Sequence, residues 1–399
     1  MRSFGRRAAL SGAALLAAAR PGLAQIGYVQ AGPVRIGVLT DETGPYADSG
    51  GAGSIAAARM AAQDVGATVL GHPVEIVHAD TQNKPDVAGT VARQWYDTGV
   101  DAIIDLPVTP VAASVQQIAR EKGRTVMITA AAVTEFTSKN CSPVSSHWAD
   151  DTHALTAGTG KVLTDLGGKT WFFITVDFSF GAALQAAATG NIEAAGGRVI
   201  GAAKFPIGNT DFSSQILQAQ SSGAQIVGLA AVGNDQVNLI KQTAEFGLQS
   251  GGAQLAGFLV YITDIHALGL AAAQGLSFPS SFYWDQNDAS RAFAQRFFAE
   301  RHAMPTKNQA SVYAGTLHFL KAMAQAGTRD AMAVNQAMRA LPVSFFGRPA
   351  TLRRDGRLLV DLTLYRVKRP VDSHAEWDLY SPIGSLAAEE AFAPASVSC

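Results

Sequence analysis

The sequence has two cysteines, no cluster of histidines, no excess of basic residues and no apolar run long enough for a bilayer. Each scarcity excludes something. Cys141 and Cys399 without grouped histidines cannot build a metal centre, so no metal site is expected. In an oxidising compartment the two cysteines could be bonded, tying down the C-terminal tail, or they could stay as two thiols. The 31 lysines and arginines nearly balance the 32 acids, which leaves nothing to attract nucleic acid or anionic lipid. A membrane span needs roughly 20 apolar residues. The run from Ala8 to Ala19 falls short, and charged or polar residues break every later one. No Gly/Ser linker or shift of composition cuts the chain into beads.

What is present begins with "MRSFGRRAALSGAALLAAARPGLAQ". A basic start (Arg2, Arg6, Arg7), an apolar run and the small residues of Gly22-Leu23-Ala24 predict an export signal, residues 1–24, cleaved after Ala24. The Arg6-Arg7 pair leaves the twin-arginine route open beside the general one. No cysteine flanks the cleavage point, so no lipid or other direct membrane anchor is expected. Removing residues 1–24 takes away four arginines and no acid, leaving 27 basic against 32 acidic residues. The expected product is a soluble, monomeric periplasmic protein, too long for one core and comfortable for two lobes.

From Val34 onward, short β-rich runs alternate with helical ones. "VRIGVLT", "VEIVHAD", "DAIIDLP" and "TVMITAA" read as strands, with helices at Ser54–Val65, Pro85–Thr98 and Ala112–Lys122 between them. A second series follows: "TWFFITVD", "RVIGAAKF", "AQIVGLAAV" and "AQLAGFLVYI", with helices at Thr152–Leu166, Gly181–Ala195, Phe212–Ser221 and Gln236–Phe246. Nearly continuous apolar strands alternating with helices predict an α/β fold with parallel sheets buried on both faces. "SSHWADDT", "SFYWDQNDAS" and the strand pair "RLLVDLTLYRVKRP" look like three crossings. The expected architecture is two Rossmann-like, doubly wound lobes on a three-strand hinge: residues 32–148 plus 284–360, and 149–283 plus 361–399.

Gly51-x-Gly53-x-x-Ala56 has the spacing of a dinucleotide fingerprint. In a nicotinamide fold the glycines follow the first strand directly, yet "DETGPYADSG" intervenes here. Asp80 could imitate the ribose-binding acid, which would make the chain an exported oxidoreductase carrying a visible cofactor. The loop is too long for that, so no cofactor is expected. Asp48 or Ser49 is read instead as the helix N-cap, with the glycines allowing close backbone approach. The scattered His147, His153, His266 and His318 accompany no G-x-S-x-G elbow, so no hydrolase is indicated.

Five stretches carry a resemblance: "IGVLTDETGPYADSGGAGSIAAARMA", "DTQNKPDVAGTVARQW", "AAAVTEFTSKNCSP", "NTDFSSQILQAQ" and "IKQTAEFG". In this order and spacing the chain resembles type I periplasmic solute-binding proteins of ABC transporters, in the Leu/Ile/Val-binding family and its aromatic and organic-acid relatives. The resemblance implies an interlobe cleft that closes on a small solute, a membrane permease as partner, and no enzymatic activity. It places ligand contacts on Tyr46 and Ser49 after the first strand and on Thr109 after the third. Ala131, Ala132, Val133 and Thr134 follow the fourth. From the second lobe it implies Phe178 and Phe180, Gly233 and Asn234, Leu259 and Tyr261, and then Asn308 or Gln309.

Leu259 departs from the amino-acid binders of this family, which keep an acid there for the ligand ammonium. A buried ammonium without a carboxylate costs several kcal/mol. Unless Asp177, Asp235 or Asp264 substitutes, the ligand is expected to be apolar or aromatic, or a short carboxylate, rather than a branched-chain amino acid; a neutral solute stays open. Phe172, Phe173, Phe293 and Phe297 have core spacing, whereas Phe178 and Phe180 lie just past a strand end, where α/β sheets bind ligands. A periplasmic sensor reporting to a membrane kinase is the rival reading.

Overall fold

A computed structural model describes residues 32–395 and Cys399. The expected export signal lies outside the described residues. The first half runs β1 (Val34–Thr40), α1 (Gly51–Asp64), β2 (Thr68–Val69), β3 (His72–Asp80), α2 (Pro85–Asp97), β4 (Ala102–Asp105), α3 (Thr109–Lys122), β5 (Thr125–Ile128) and β6 (Ser145–His147). These strands form one sheet in the order β2-β3-β1-β4-β5-β6, parallel except for the short hairpin of β2 with β3. Every residue of β4 and β5 is buried, as the continuous apolar runs require of strands covered on both faces.

The second half continues with α4 (Thr152–Thr156), α5 (Val162–Asp165), β7 (Thr170–Val176), α6 (Ser179–Ala194), β8 (Arg198–Phe205), α7 (Ser213–Ser222) and β9 (Ile226–Ala230). Next come α8 (Gly233–Glu245), β10 (Gln254–Gly257), α9 (Ile262–Leu268), α10 (Leu270–Ala273) and β11 (Ser277–Ser280). Helices α11 (Asp288–Arg301), α12 (Lys307–Ala326) and α13 (Ala331–Ala340) then return to the first half, where α12 packs on α1. A small antiparallel sheet of β12 (Val343–Phe345), β13 (Arg348–Leu352) and β14 (Leu358–Leu359) precedes β15 (Leu362–Val367), β16 (Tyr380–Leu386) and α14 (Ala388–Ala391). The second sheet has the order β16-β15-β11-β10-β9-β7-β8, with β15 and β16 antiparallel.

The largest apolar core joins Val34, Ile104 and Trp148 to Phe293, Phe319 and Phe345. A second joins Ile174, Val227 and Phe278 to Tyr365 and Tyr380. Between the sheets the chain passes a buried guanidinium: Arg357 lies 2.8 Å from His147 Nδ1 and 3.4 Å from the Asp151 carboxylate, and donates to the Ala149 carbonyl. Beyond β16 the tail turns back to the first half. Arg353 donates to the Ala393 carbonyl at 2.8 Å, and Cys141 and Cys399 are joined by a disulfide with Cα atoms 5.8 Å apart.

Among the element boundaries that differ from expectation, three have a clear physical reason. Helix α3 begins at Thr109 rather than Ala112, because Pro110 fits a first turn whose N–H groups need no helical acceptor. The expected helix Thr152–Leu166 widens into a π turn over Ala157–Lys161, where Gly158 and Gly160 weaken the helical preference. Strand β10 stops at Gly257, and the apolar residues after it form a buried turn that leads into α9. Burial on all sides looks the same in sequence for a strand and for such a turn.

Candidate functional site

In the first sheet, β1 has β3 on one side and β4 on the other; in the second, β7 stands between β8 and β9. Open α/β sheets bind ligands outside the strand C-termini where the order reverses in this way. The loops and first helical turns leaving those ends hold Tyr46, Ser49, Thr109 and Ala131–Thr134 on one side, and Phe178, Phe180, Gly233, Asn234, Leu259 and Tyr261 on the other. Helices α1, α3, α6 and α8 start there without a side-chain cap. By contrast α4, α11, α12 and α13 are capped by Asp151, Asn287, Thr306 and Asp330. The uncapped first turns of α3, α6 and α8 present N–H groups that suit an anion or a polar ligand atom, whereas Thr40 takes the first N–H of α1.

The loop after β1 is shaped by Asp41. Its carboxylate accepts from Gly44 N at 2.8 Å, Tyr46 N at 2.9 Å and Asn83 Nδ2 at 2.8 Å. Neither Asp48 nor Ser49 caps α1, contrary to expectation: Gly50 holds the cap position, and the Ser49 hydroxyl donates to the Tyr46 carbonyl. Thr40 Oγ1 accepts the Gly51 N–H in their place, at 2.9 Å. Gly51 has φ +48°, and a Cβ on Gly53 would stand 2.2 Å from Gln309 Nε2. Gln309 donates from there to the carbonyls of Gly50 (3.0 Å) and Asp48 (3.2 Å), and the Thr306 hydroxyl donates to the Ser49 carbonyl at 2.7 Å. The glycine spacing is therefore a packing device that lets the start of α12 grip the loop.

Under this loop lies Asp105, fully buried with φ 92°. Burial pushes its carboxyl up to about 6, against the pull of the Thr40, Ser54 and Thr129 hydroxyls.

The halves meet through several of the expected residues. Asn308 Nδ2 donates to the Tyr261 hydroxyl at 3.1 Å, both side chains being buried. A Cβ on Gly233 would come within 3.8 Å of the Tyr46 ring, and burial, with Asp41 and Asp235 nearby, raises the Tyr46 phenol. Ala132, Leu259 and Tyr261 share one apolar cluster, against which Phe180 and Val232 pack. Phe178 is 37% exposed and stacks on Phe180, with ring centroids 6.1 Å apart. Asn234 is exposed. Thr109 and Val133 are half-buried, and so is Thr134, whose carbonyl takes the Thr137 and Ser138 hydroxyls. Ala131 is spent on local structure, its N–H bonding to Leu106 and its carbonyl to His147. Phe172, Phe173, Phe293 and Phe297 all lie in cores.

The three candidate replacement acids differ. Asp177 pairs with Lys204 at 2.9 Å on the surface, and Asp235 accepts from Gly208 N. Asp264 accepts the Tyr261 N–H at 3.1 Å, and burial pushes its carboxyl up to about 7. Sequence reasoning missed Lys307, which is buried 3.3 Å from Asp150 and 5.7 Å from the centre of the Tyr261 ring. One signal could have found it: a lysine at the first position of a long helix opposes the helix dipole and needs a reason.

The family model described as periplasmic binding protein matches residues 33–374. A solved periplasmic binding protein from Burkholderia mallei is 41% identical, covering 90% of this chain and 96% of that one, with a TM-score of 0.84. A branched chain amino acid ABC transporter periplasmic ligand-binding protein from Burkholderia xenovorans is 38% identical, covering 90% and 97%, with a TM-score of 0.86. The Leu/Ile/Val-binding protein homolog 6 of Brucella melitensis is 27% identical over 241 residues, 59% of this chain. That match spans 61% of the relative's length.

Proposed function

The chain belongs to the periplasmic binding protein family, and from that membership we propose that it is the solute-capturing component of an ABC importer. The lobes are residues 32–148 with 284–360, and 149–283 with 361–399. The division of strands between the two sheets and the separate cores support those boundaries, except that Phe282 packs in the first core and the tail after β16 is tied to the first lobe through Cys141–Cys399. The solute enters the crevice between the C-terminal ends of the two sheets, and contacts from the second lobe then favour the closed form. A ligand shifts that equilibrium only by its extra affinity for the closed arrangement. Permease and ATPase subunits do the transport, and this chain supplies recognition without catalysis.

The preferred solute is a small aromatic or short aliphatic acid. The observation that carries this reading is Leu259, set with Ala132, Phe180 and Tyr261 in an apolar wall where amino-acid binders of the family keep an acid. A second reading, an amino acid, is favoured by Asp264: its buried carboxyl beside Tyr261 could lose its proton to receive an ammonium. The name of the Burkholderia xenovorans relative points the same way. Thermal-shift screening of the purified chain decides between them. Benzoate, 4-hydroxybenzoate and hexanoate should raise the melting temperature, by about 2.7 kcal/mol of stabilisation at a hundredfold excess over Kd. Shifts with leucine, isoleucine or valine alone would transfer the assignment to amino acids through Asp264.

A further inference from the structure

Beside the apolar wall is a small cavity lined by Tyr261, Ser280, Phe282, Tyr283, Lys307 and Tyr380. Some 10 Å³ of it is open to the centre of a water molecule, which is room for about one oxygen atom. Two buried polar atoms on its lining residues meet no hydrogen-bond partner among the described residues: Lys307 Nζ and the Tyr380 hydroxyl. The other hydroxyls are occupied. Ser280 donates to the Phe282 carbonyl, and Tyr283 donates to Trp377 O while accepting from Leu379 N.

The Lys307 ammonium has three N–H donors. Its carboxylate neighbour Asp150 stands at 3.3 Å and also accepts the Ser281 N–H. Asp264 is the other acid acting on it, and the Tyr261 ring lies 5.7 Å away. Lys307 is the first residue of α12, so the positive end of a twenty-residue helix adds to its charge. A buried donor left unmatched keeps its full desolvation cost, larger when it is charged. An occupant of this space must accept a hydrogen bond from Lys307, so an oxygen acceptor fits it and an ammonium does not.

We propose that Lys307 is a specificity-determining residue that receives the acid oxygen of the solute in the cavity behind Tyr261. The inference rests on the solute-binding reading and deepens it: an acid oxygen reaches the start of α12 past Tyr261, the residue that the cavity shares with the apolar cluster of Leu259 and Phe180.

The test uses matched pairs, benzoate with benzyl alcohol and hexanoate with hexan-1-ol, titrated calorimetrically at pH 7.5. Lys307→Met alone would strand the Asp150 charge, so the decisive variant is Lys307→Met/Asp150→Asn, which removes both charges. The acids should bind the wild type and weaken at least tenfold in the double variant, while any alcohol binding changes less than twofold. Equal affinity of the acids for both proteins would overturn the role of Lys307 and leave the solute-binding reading intact, as would a wild type that binds only the alcohols. Failure of all four compounds to bind a folded wild type would refute the organic-acid reading itself, and this inference with it.

Discussion

Replacing Asp105 by asparagine should stabilise the protein at neutral pH and do nothing in acid. The side chain ends β4 directly beneath Gly50, whose Cβ, if it had one, would sit 3.1 Å from Oδ2. Oδ2 has no hydrogen-bond partner among the described residues, and Thr129 Oγ1 reaches Oδ1 only at 3.5 Å. Burial moves the acid from 3.8 to about 6. A carboxyl whose pKa is higher folded than unfolded favours the native state most below the unfolded value. That contribution is lost as pH climbs from 3.8 through 6, where the native state must give up a proton it held more tightly. The gap of about two units corresponds to about 3 kcal/mol at pH 7.5 relative to a group that cannot ionise. Asparagine keeps the shape, tolerates positive φ better than most residues and finds acceptors in the surrounding hydroxyls. Urea unfolding of both proteins at pH 7.5 and pH 4 is the assay. The variant should be the more stable by about 2–3 kcal/mol at the higher pH and equal at the lower. A variant less stable at pH 7.5 would refute the argument, because it would mean that the hydroxyls hold a carboxylate that the fold needs charged.

Two further outcomes are expected. The Cys141–Cys399 disulfide closes a loop of 258 residues, so Cys141→Ser/Cys399→Ser should lose about 5.5 kcal/mol in the chain-entropy model; a denaturant midpoint unmoved by reduction would contradict it. Tyr261→Phe removes the acceptor of Asn308 across the cleft and should raise the calorimetric Kd for benzoate about five- to tenfold, the equivalent of roughly 1 kcal/mol; an unchanged Kd would show that this contact does not select the closed form.

What could be read from the sequence, and what could not, follows from the range of the interactions involved. Strands such as "AIID" and "TVMI" are legible because a strand covered on both faces is a continuous apolar run. The same rule misleads at Phe258–Tyr261, where an equally apolar and equally buried segment is a turn. The role of Gly53 is not local at all, since the atom that needs its missing side chain belongs to Gln309 in α12. Lys307 reads as a surface residue until the fold brings Asp150 and Tyr261 to it. Leu259 could be placed by the family resemblance, but the apolar cluster it shares with Ala132 and Phe180 draws on both halves of the molecule. The family-level function therefore lies in periodicity and motif order, whereas ligand chemistry lies in long-range pairs. On the proposed reading two of those features point in one direction: Leu259 offers no acid to a ligand ammonium, and Lys307, although paired with Asp150, keeps a donor for a ligand oxygen. Together they are a stronger reason to propose an organic acid than either residue gives alone.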